Sequence, residues 1–156
     1  MPFIAFDALG TLLSFQKPME VFEQTFGLDQ TAFKLWFAHS IRDYFACSHN
    51  EHYKPLSELM PHTLRRIVAM KKGEPPSDQD VSTVIKAFQS QLEPYKGYKE
   101  ALERLCRAGY VPFIVTNSSF EGARKSLENG GCLPLFQDTD TGTIRIIACD
   151  HVGHSK

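Results

Sequence analysis

The chain lacks most of the signals that would settle its class quickly. It has four cysteines in 156 residues, Cys47, Cys106, Cys132 and Cys149, irregularly spaced and without a CxxC pair. That usage argues against a disulfide framework and favours a reducing, cytoplasmic setting. It has no excess charge of either sign: 17 Lys and Arg stand against 18 Asp and Glu, for a formal net charge of -1. No basic face is implied, so a nucleic-acid partner is not expected. No apolar run approaches the roughly 20 residues that span a bilayer, so a membrane partner is not expected either. The N-terminus lacks a basic n-region and Asp7 interrupts its apolar run, which argues against a signal peptide. Repeats and low-complexity tracts are also lacking. What remains is a chain with 42% hydrophobic residues, enough for one ordinary core.

The first thing present is "FIAFDALGTLLS", residues 3–14. A short run with both faces apolar reads as a buried, parallel strand, and it ends abruptly in the carboxylate of Asp7, three residues before the turn glycine Gly10. Helical spacing continues over residues 17–28, with Pro18 in the first turn, and over 31–46, where Phe33, Trp36, Phe37, Ile41, Tyr44 and Phe45 recur. Residues 56–70 are helical again, with Pro61 either kinking the helix or marking its start. After "KKGEPPSD", Ser77 caps a helix striped by Val81, Val84, Ile85, Phe88 and Leu92. A helix over 99–108 is closed by Gly109. A second apolar strand, 111–115, ends in Thr116-Asn117, with Pro112 expected at its first position. Ser118 and Glu121 read as a capping box for a helix over 119–129 stopped by Gly130-Gly131, and 143–149 as a third strand.

Strand, helix, strand, helix, strand argues for an α/β fold with a parallel sheet and right-handed crossovers. The helical stretch after the first strand is too long for one crossover. It reads as an inserted all-helical cap over 15–92, with the core domain formed by 1–14 and 93–156. In such sheets ligands bind at the carboxyl ends of the strands. Asp7 and Thr116-Asn117 are expected at such ends.

Asp7 has two readings. It can form an Asx-type turn that caps the segment after Thr11. It can also be a nucleophile, attacking an electrophilic centre to give an ester or acyl phosphate that water hydrolyses. Gly10 would let the chain turn tightly, and Thr11 would offer a hydroxyl and an amide. Thr116 and Asn117 would set a hydroxyl and an amide beside an anion at Asp7, and the N-terminus of the next helix favours anions too. Lys156 is either a solvated terminal lysine or a positive charge for the same crevice.

At these residues the chain resembles the haloacid dehalogenase (HAD) superfamily. "FDALGTLL" is similar to its first motif, "VTNSS" to its second, and "DHVGHSK" to the approach to its third, the motif lysine. "LWF…RDYF" and "PYKGYKEALERLCRAGY" resemble the cap and return segment of the type II 2-haloacid dehalogenases. The resemblance implies a three-layer Rossmann-like α/β sheet with a helical cap. It implies Asp7 as nucleophile and Lys156 as the charge-stabilising catalytic lysine. It also implies Thr11 as a support of the loop and Thr116 and Asn117 as contacts to the substrate anion; Leu9, beside the nucleophile, is a further candidate for substrate binding.

Three departures from the family's pattern bear on function. Leu9 stands where the family's phosphatases carry an acid, so a leaving alkoxide would have no evident proton donor. Halide needs none. Phe37 stands where the dehalogenases carry an arginine after the cap tryptophan, here Trp36. Arg42 is the nearby candidate for a substrate carboxylate, or else a partner for surface acids. Finally, the sequence stops at Lys156, so the family's fourth motif and its last strands are expected to be missing. Phe3–Phe6 would then be an edge strand inviting self-association.

Other motifs are weaker. "DTDTGT" (138–143) has the letters of an aspartic-protease loop but reads as a turn. Cys149, Asp150, His151 and His154 are possible zinc ligands without a second pair. The expectation is thus a hydrolase of a small organic substrate through an aspartyl ester on Asp7, dehalogenase-like and needing no cofactor. The alternatives are a catalytically incomplete binding relative or fragment and, less favoured, a phosphatase using Mg2+.

Overall fold

The computed structural model describes residues 2–49 and 52–152. These form two compact units, residues 16–49 with 52–91, and residues 2–15 with 92–152. No helix among the described residues is long and apolar enough to cross a membrane.

The first unit is all helical. Its helices are α1 (Gln16–Phe26), α2 (Gln30–His49), α3 (Leu56–Lys72) and α4 (Asp78–Ser90). Each starts or stops where local chemistry dictates. Asp29 accepts from the Ala32 N–H at 3.0 Å ahead of α2. Ser77 accepts from the Asp80 N–H at the start of α4, and Gly73 closes α3 in the left-handed conformation at φ 83°. Pro61 neither breaks nor begins α3. It sits inside the helix, at the cost of the bond its missing N–H would give to the Ser57 carbonyl.

Phe33, Trp36 and Tyr44, expected as one aromatic stripe, are fully buried within this unit. Trp36 stacks on Phe22 at 6.0 Å and meets Phe33 and Phe88 edge-on. Its indole N–H donates to the Met60 carbonyl at 3.1 Å. Arg42 donates to its neighbour Asp43 at 2.7 and 2.9 Å, and Arg66 takes the other Asp43 oxygen at 2.8 Å.

The second unit holds a parallel sheet and flanking helices. Its strands are β1 (Phe3–Phe6), β4 (Val111–Thr116) and β5 (Ile146–Ala148), in the order β1-β4-β5. Two-residue strands β2 (Leu13–Ser14) and β3 (Glu93–Pro94) pair antiparallel where the chain leaves and re-enters the unit. Helices α5 (Tyr98–Arg107) and α6 (Phe120–Asn129) make the two crossovers. Both crossovers step the same way along the sheet, so right-handed connection puts both helices on one face. Leu102 and Tyr98 of α5 and Ala123 and Leu127 of α6 accordingly share one core with Ile114, Ile146 and Ala148.

The other sheet face is more open. β1 is not buried as expected: Phe3 is 72% exposed, and Ile147 of β5 is 49% exposed. Pro112 is not first in β4 but second, paired with Ile4. Val111 donates toward β1, to Pro2 O, and Ile114 donates the opposite way, to Arg145 O. Alternation turns the Pro112 nitrogen to the β5 side, ahead of the point where β5 pairing begins at Ile114. No ladder bond is lost, and the Pro112 carbonyl is taken by the Arg145 Nε–H at 3.1 Å.

The third strand is shorter than expected at both ends: it begins only at Ile146, and at its other end Cys149–Val152 turns into the short helix α7. The "DTDTGT" segment is an Asx turn: Asp138 Oδ1 accepts from the Asp140 and Thr141 N–H groups at 3.1 and 2.9 Å.

Candidate active site

β1 and β4 run in parallel with Phe6 opposite Ile114. The register therefore brings Asp7, one residue past β1, and Thr116, the last residue of β4, out at neighbouring carboxyl ends. Asp7 is half-buried, and its Oδ2 accepts from the Thr11 hydroxyl at 3.0 Å. The loop between them is tight. The Ala8 carbonyl accepts from the N–H groups of Thr11, Leu12 and Leu13, and Gly10 N–H donates to Leu13 O at 2.9 Å. Gly10 sits at φ 79°, and a Cβ there would lie 3.1 Å from the Phe15 ring, so the turn requires glycine. Leu9 packs its side chain partly against the core and offers no polar atom near Asp7.

At the end of β4, Thr116 is buried. Its hydroxyl accepts from the Ser118 N–H and donates to the Ser118 hydroxyl, both at 3.1 Å. Asn117 Oδ1 accepts from the Cys149 thiol at 3.3 Å. The expected capping box is shifted by one residue. Ser119, not Ser118, caps α6 by accepting from the Gly122 N–H at 3.1 Å. Glu121 instead pairs with Arg124 at 3.0 Å.

One contributor is hidden in the sequence. Asp150, by its sequence only a weak candidate for metal binding, places its carboxylate on the Phe120 N–H at 3.0 and 3.2 Å, at the first turn of α6. Its partner is 30 residues away, so no local spacing announces it. Among the described residues no group of three or more His, Cys, Asp or Glu could hold a metal ion.

Asp7, Leu9, Thr11, Thr116 and Asn117 thus belong to one unit, around the ends of two adjacent strands. Arg42 belongs to the helical unit, where its guanidinium is engaged by Asp43. Lys156 and His154 lie outside the described residues.

A parallel sheet with acid and hydroxyl at its strand ends and a helical insertion after the first strand defines a HAD-like fold. Solved structures bear this out. The L-2-haloacid dehalogenase from Xanthobacter autotrophicus matches with a TM-score of 0.82 and 19% identity, over 100% of this chain and 60% of that one. The same enzyme with chloropropionic acid covalently bound also scores 0.82, at 18% identity and the same coverage. A further L-2-haloacid dehalogenase scores 0.83 at 23% identity, over 100% of this chain and 67% of that one. A HAD family hydrolase from Deinococcus radiodurans R1 scores 0.56 at 18% identity, covering 97% and 59%. This chain therefore spans about 60% of the length of the first dehalogenase it matches. Neither a protein-family model nor a curated protein sequence matches it.

Proposed function

We propose that this chain is a cytoplasmic, dehalogenase-like hydrolase that acts on a small 2-halo carboxylic acid through an ester on Asp7. The observation that carries the reading is the Asp7 carboxylate, held by Thr11 at a strand end beside Thr116, with Leu9 where an acid would serve a phosphatase. An ionised carboxylate attacks C2 of the substrate as the halide departs. The C–O bond forms, the carbon–halogen bond breaks, and the halide carries away the electron pair without needing a proton. Water then attacks the ester carbonyl carbon. The 2-hydroxy acid leaves, the water's protons go to product and solvent, and the Asp7 carboxylate returns.

In this scheme Thr11 orients the nucleophile, and Thr116 and Asn117 contact the substrate anion. Leu9 sets an apolar side chain, not an acid, two residues after the nucleophile. Lys156 supplies positive charge. No step requires a metal or organic cofactor. The covalently bound chloropropionic acid on the Xanthobacter autotrophicus enzyme, on a similar fold, supports the reading.

Incubation with 2-chloropropionate, or with the smaller bromoacetate, tests it. Halide release is expected, with a rapidly quenched sample showing the mass of the substrate less its halide added to the Asp7 peptide. Asp7→Asn should abolish release. A folded wild-type chain that releases no halide overturns the reading in favour of a binding relative. Mg2+-dependent phosphate release from phosphate esters would favour the phosphatase and contradict the role given to Leu9.

A further inference from the structure

Three consecutive residues after β5 each reach the segment after β4. The β4–β5 register, Thr116 opposite Ala148, sets the two segments side by side. Cys149, buried, donates its thiol to Asn117 Oδ1 at 3.3 Å. Asp150 accepts the Phe120 N–H on both carboxylate oxygens, at 3.0 and 3.2 Å. His151 stacks on the Phe120 ring with centroids 4.6 Å apart.

We propose that Cys149, Asp150 and His151 form a positioning clip that fixes Asn117 and the first turn of α6 against the end of β5. The inference rests on the dehalogenase reading for its catalytic consequence, and on geometry alone for its existence. Asn117 brings an acceptor oxygen and two N–H donors. With the thiol on Oδ1, the NH2 end is the one turned to serve a substrate anion. The reversed amide orientation would present an oxygen to the anion and would lose the thiol's hydrogen bond.

Asp150 holds the other end of the same short segment. Its negative charge stands at the positive end of the α6 dipole, where Phe120 is the first helical N–H and has no intrahelical acceptor. Ser119 satisfies the Gly122 N–H from the helix's own side. Residues 117–120 are thereby pinned at both ends by adjacent residues of one segment. None of the three clip residues needs to touch substrate, so they are positioning residues rather than catalytic ones.

Asp150→Ala, Asp150→Asn and Cys149→Ala in the full chain test the clip, each checked for retained helix signal by circular dichroism. In Asp150→Ala the Phe120 amide should exchange about tenfold faster, as expected for a lost cap. The Asn117 side-chain NH2 resonances should shift, while amides of β1 stay in place. Cys149→Ala should shift the same Asn117 resonances without speeding Phe120 exchange. For halide release from 2-chloropropionate, Asp150→Ala should lower kcat about tenfold to hundredfold, with KM within about twofold. Asp150→Asn, whose amide oxygen still accepts from Phe120 N–H, should recover most of that loss.

Unmoved Asn117 and Phe120 signals in both alanine variants overturn the clip. Moved signals with unchanged kcat overturn its positioning role. A wild-type chain that releases no halide overturns the dehalogenase reading alone, and the resonances then decide the clip by themselves. If Asp150→Ala fails to fold, Cys149→Ala carries the decision: moved Asn117 side-chain resonances support the clip and unmoved ones overturn it.

Discussion

Asp43 faces two guanidinium groups at once, Arg42 on one oxygen and Arg66 on the other. Partial burial alone would raise its carboxyl pKa, but the hydrogen bonds and charges of the two arginines outweigh it and hold the value below the ordinary one. A carboxyl depressed on folding stabilises the native state above its unfolded pKa, near 4 for Asp. That contribution is lost as pH falls through the lower folded value. Asp43→Asn should therefore lower stability by about 1 kcal/mol at pH 7, the upper end for exposed pairs, and by nothing measurable at pH 2. Trp36 is the only tryptophan and lies buried in this helical unit, so its fluorescence in urea reads the effect directly. An equal loss at both pH values would mean the ion pairs are not the cause.

Thr11 makes the residue-scale prediction for the strand ends. Thr11→Val removes the 3.0 Å bond to Asp7 and keeps the shape. Under the dehalogenase reading it should slow ester formation about tenfold, the worth of one hydrogen bond to a charged group. Thr11→Ser should restore it. Asp7, Thr11, Thr116 and Asn117 were legible because each lies within a few residues of a strand end that apolar runs and glycine betray. Asp150 was not, because its role exists only once β4 and β5 are paired.

At the scale of elements, periodicity served the helices well and caps less well. The stripe of Phe33, Trp36, Phe37, Ile41, Tyr44 and Phe45 made α2 readable, and its end ran three residues past the expected one. Ser118 and Ser119 look alike as caps, and only the turn geometry chooses between them. Ser119→Ala should cost about 1 kcal/mol, while Ser118→Ala should cost less, because its hydroxyl donates to the Ser119 carbonyl rather than capping a helical N–H. Urea unfolding of the two variants side by side checks the order.

Pro112 shows a different limit. A proline inside a strand looks forbidden until the partner strand is seen to begin two residues later. Arg145 occupies that gap, donating to the carbonyls of Pro112 and Leu135 at 3.1 and 3.0 Å. Arg145→Ala should leave both carbonyls wanting a donor and destabilise the sheet unit by about 2–3 kcal/mol, measured by urea unfolding. Arg145→Lys, with one ammonium for two carbonyls, should recover part of it. A loss under about half a kilocalorie per mole, on the order of an ordinary surface change, would show that water replaces the guanidinium.

At the scale of the whole molecule, the parallel order was legible and the exposure of β1 only partly so. Two apolar faces on Phe3–Phe6 suggested burial, yet β1 pairs with β4 on one side and is otherwise an edge among the described residues. Its outward residues continue a surface. Phe3 and Ala5 lie opposite Val111 and Phe113, and Val115 lies opposite Ile147, all on the face away from α5 and α6. Phe3 meets Phe113 edge-on at 5.5 Å while remaining mostly exposed. An edge with unpaired backbone groups beside an apolar face is a template for another strand, and no charged side chain on β1 opposes pairing. Sedimentation velocity should then show association that grows with protein concentration. Phe3→Lys, which places a charge on the edge without altering its hydrogen bonding to β4, should shift the population toward monomer. Thermal unfolding should move little, since the Phe3 ring buries little surface. A chain that stays monomeric throughout, or a Phe3→Lys variant that associates as strongly as wild type, would rule out β1 as the contact.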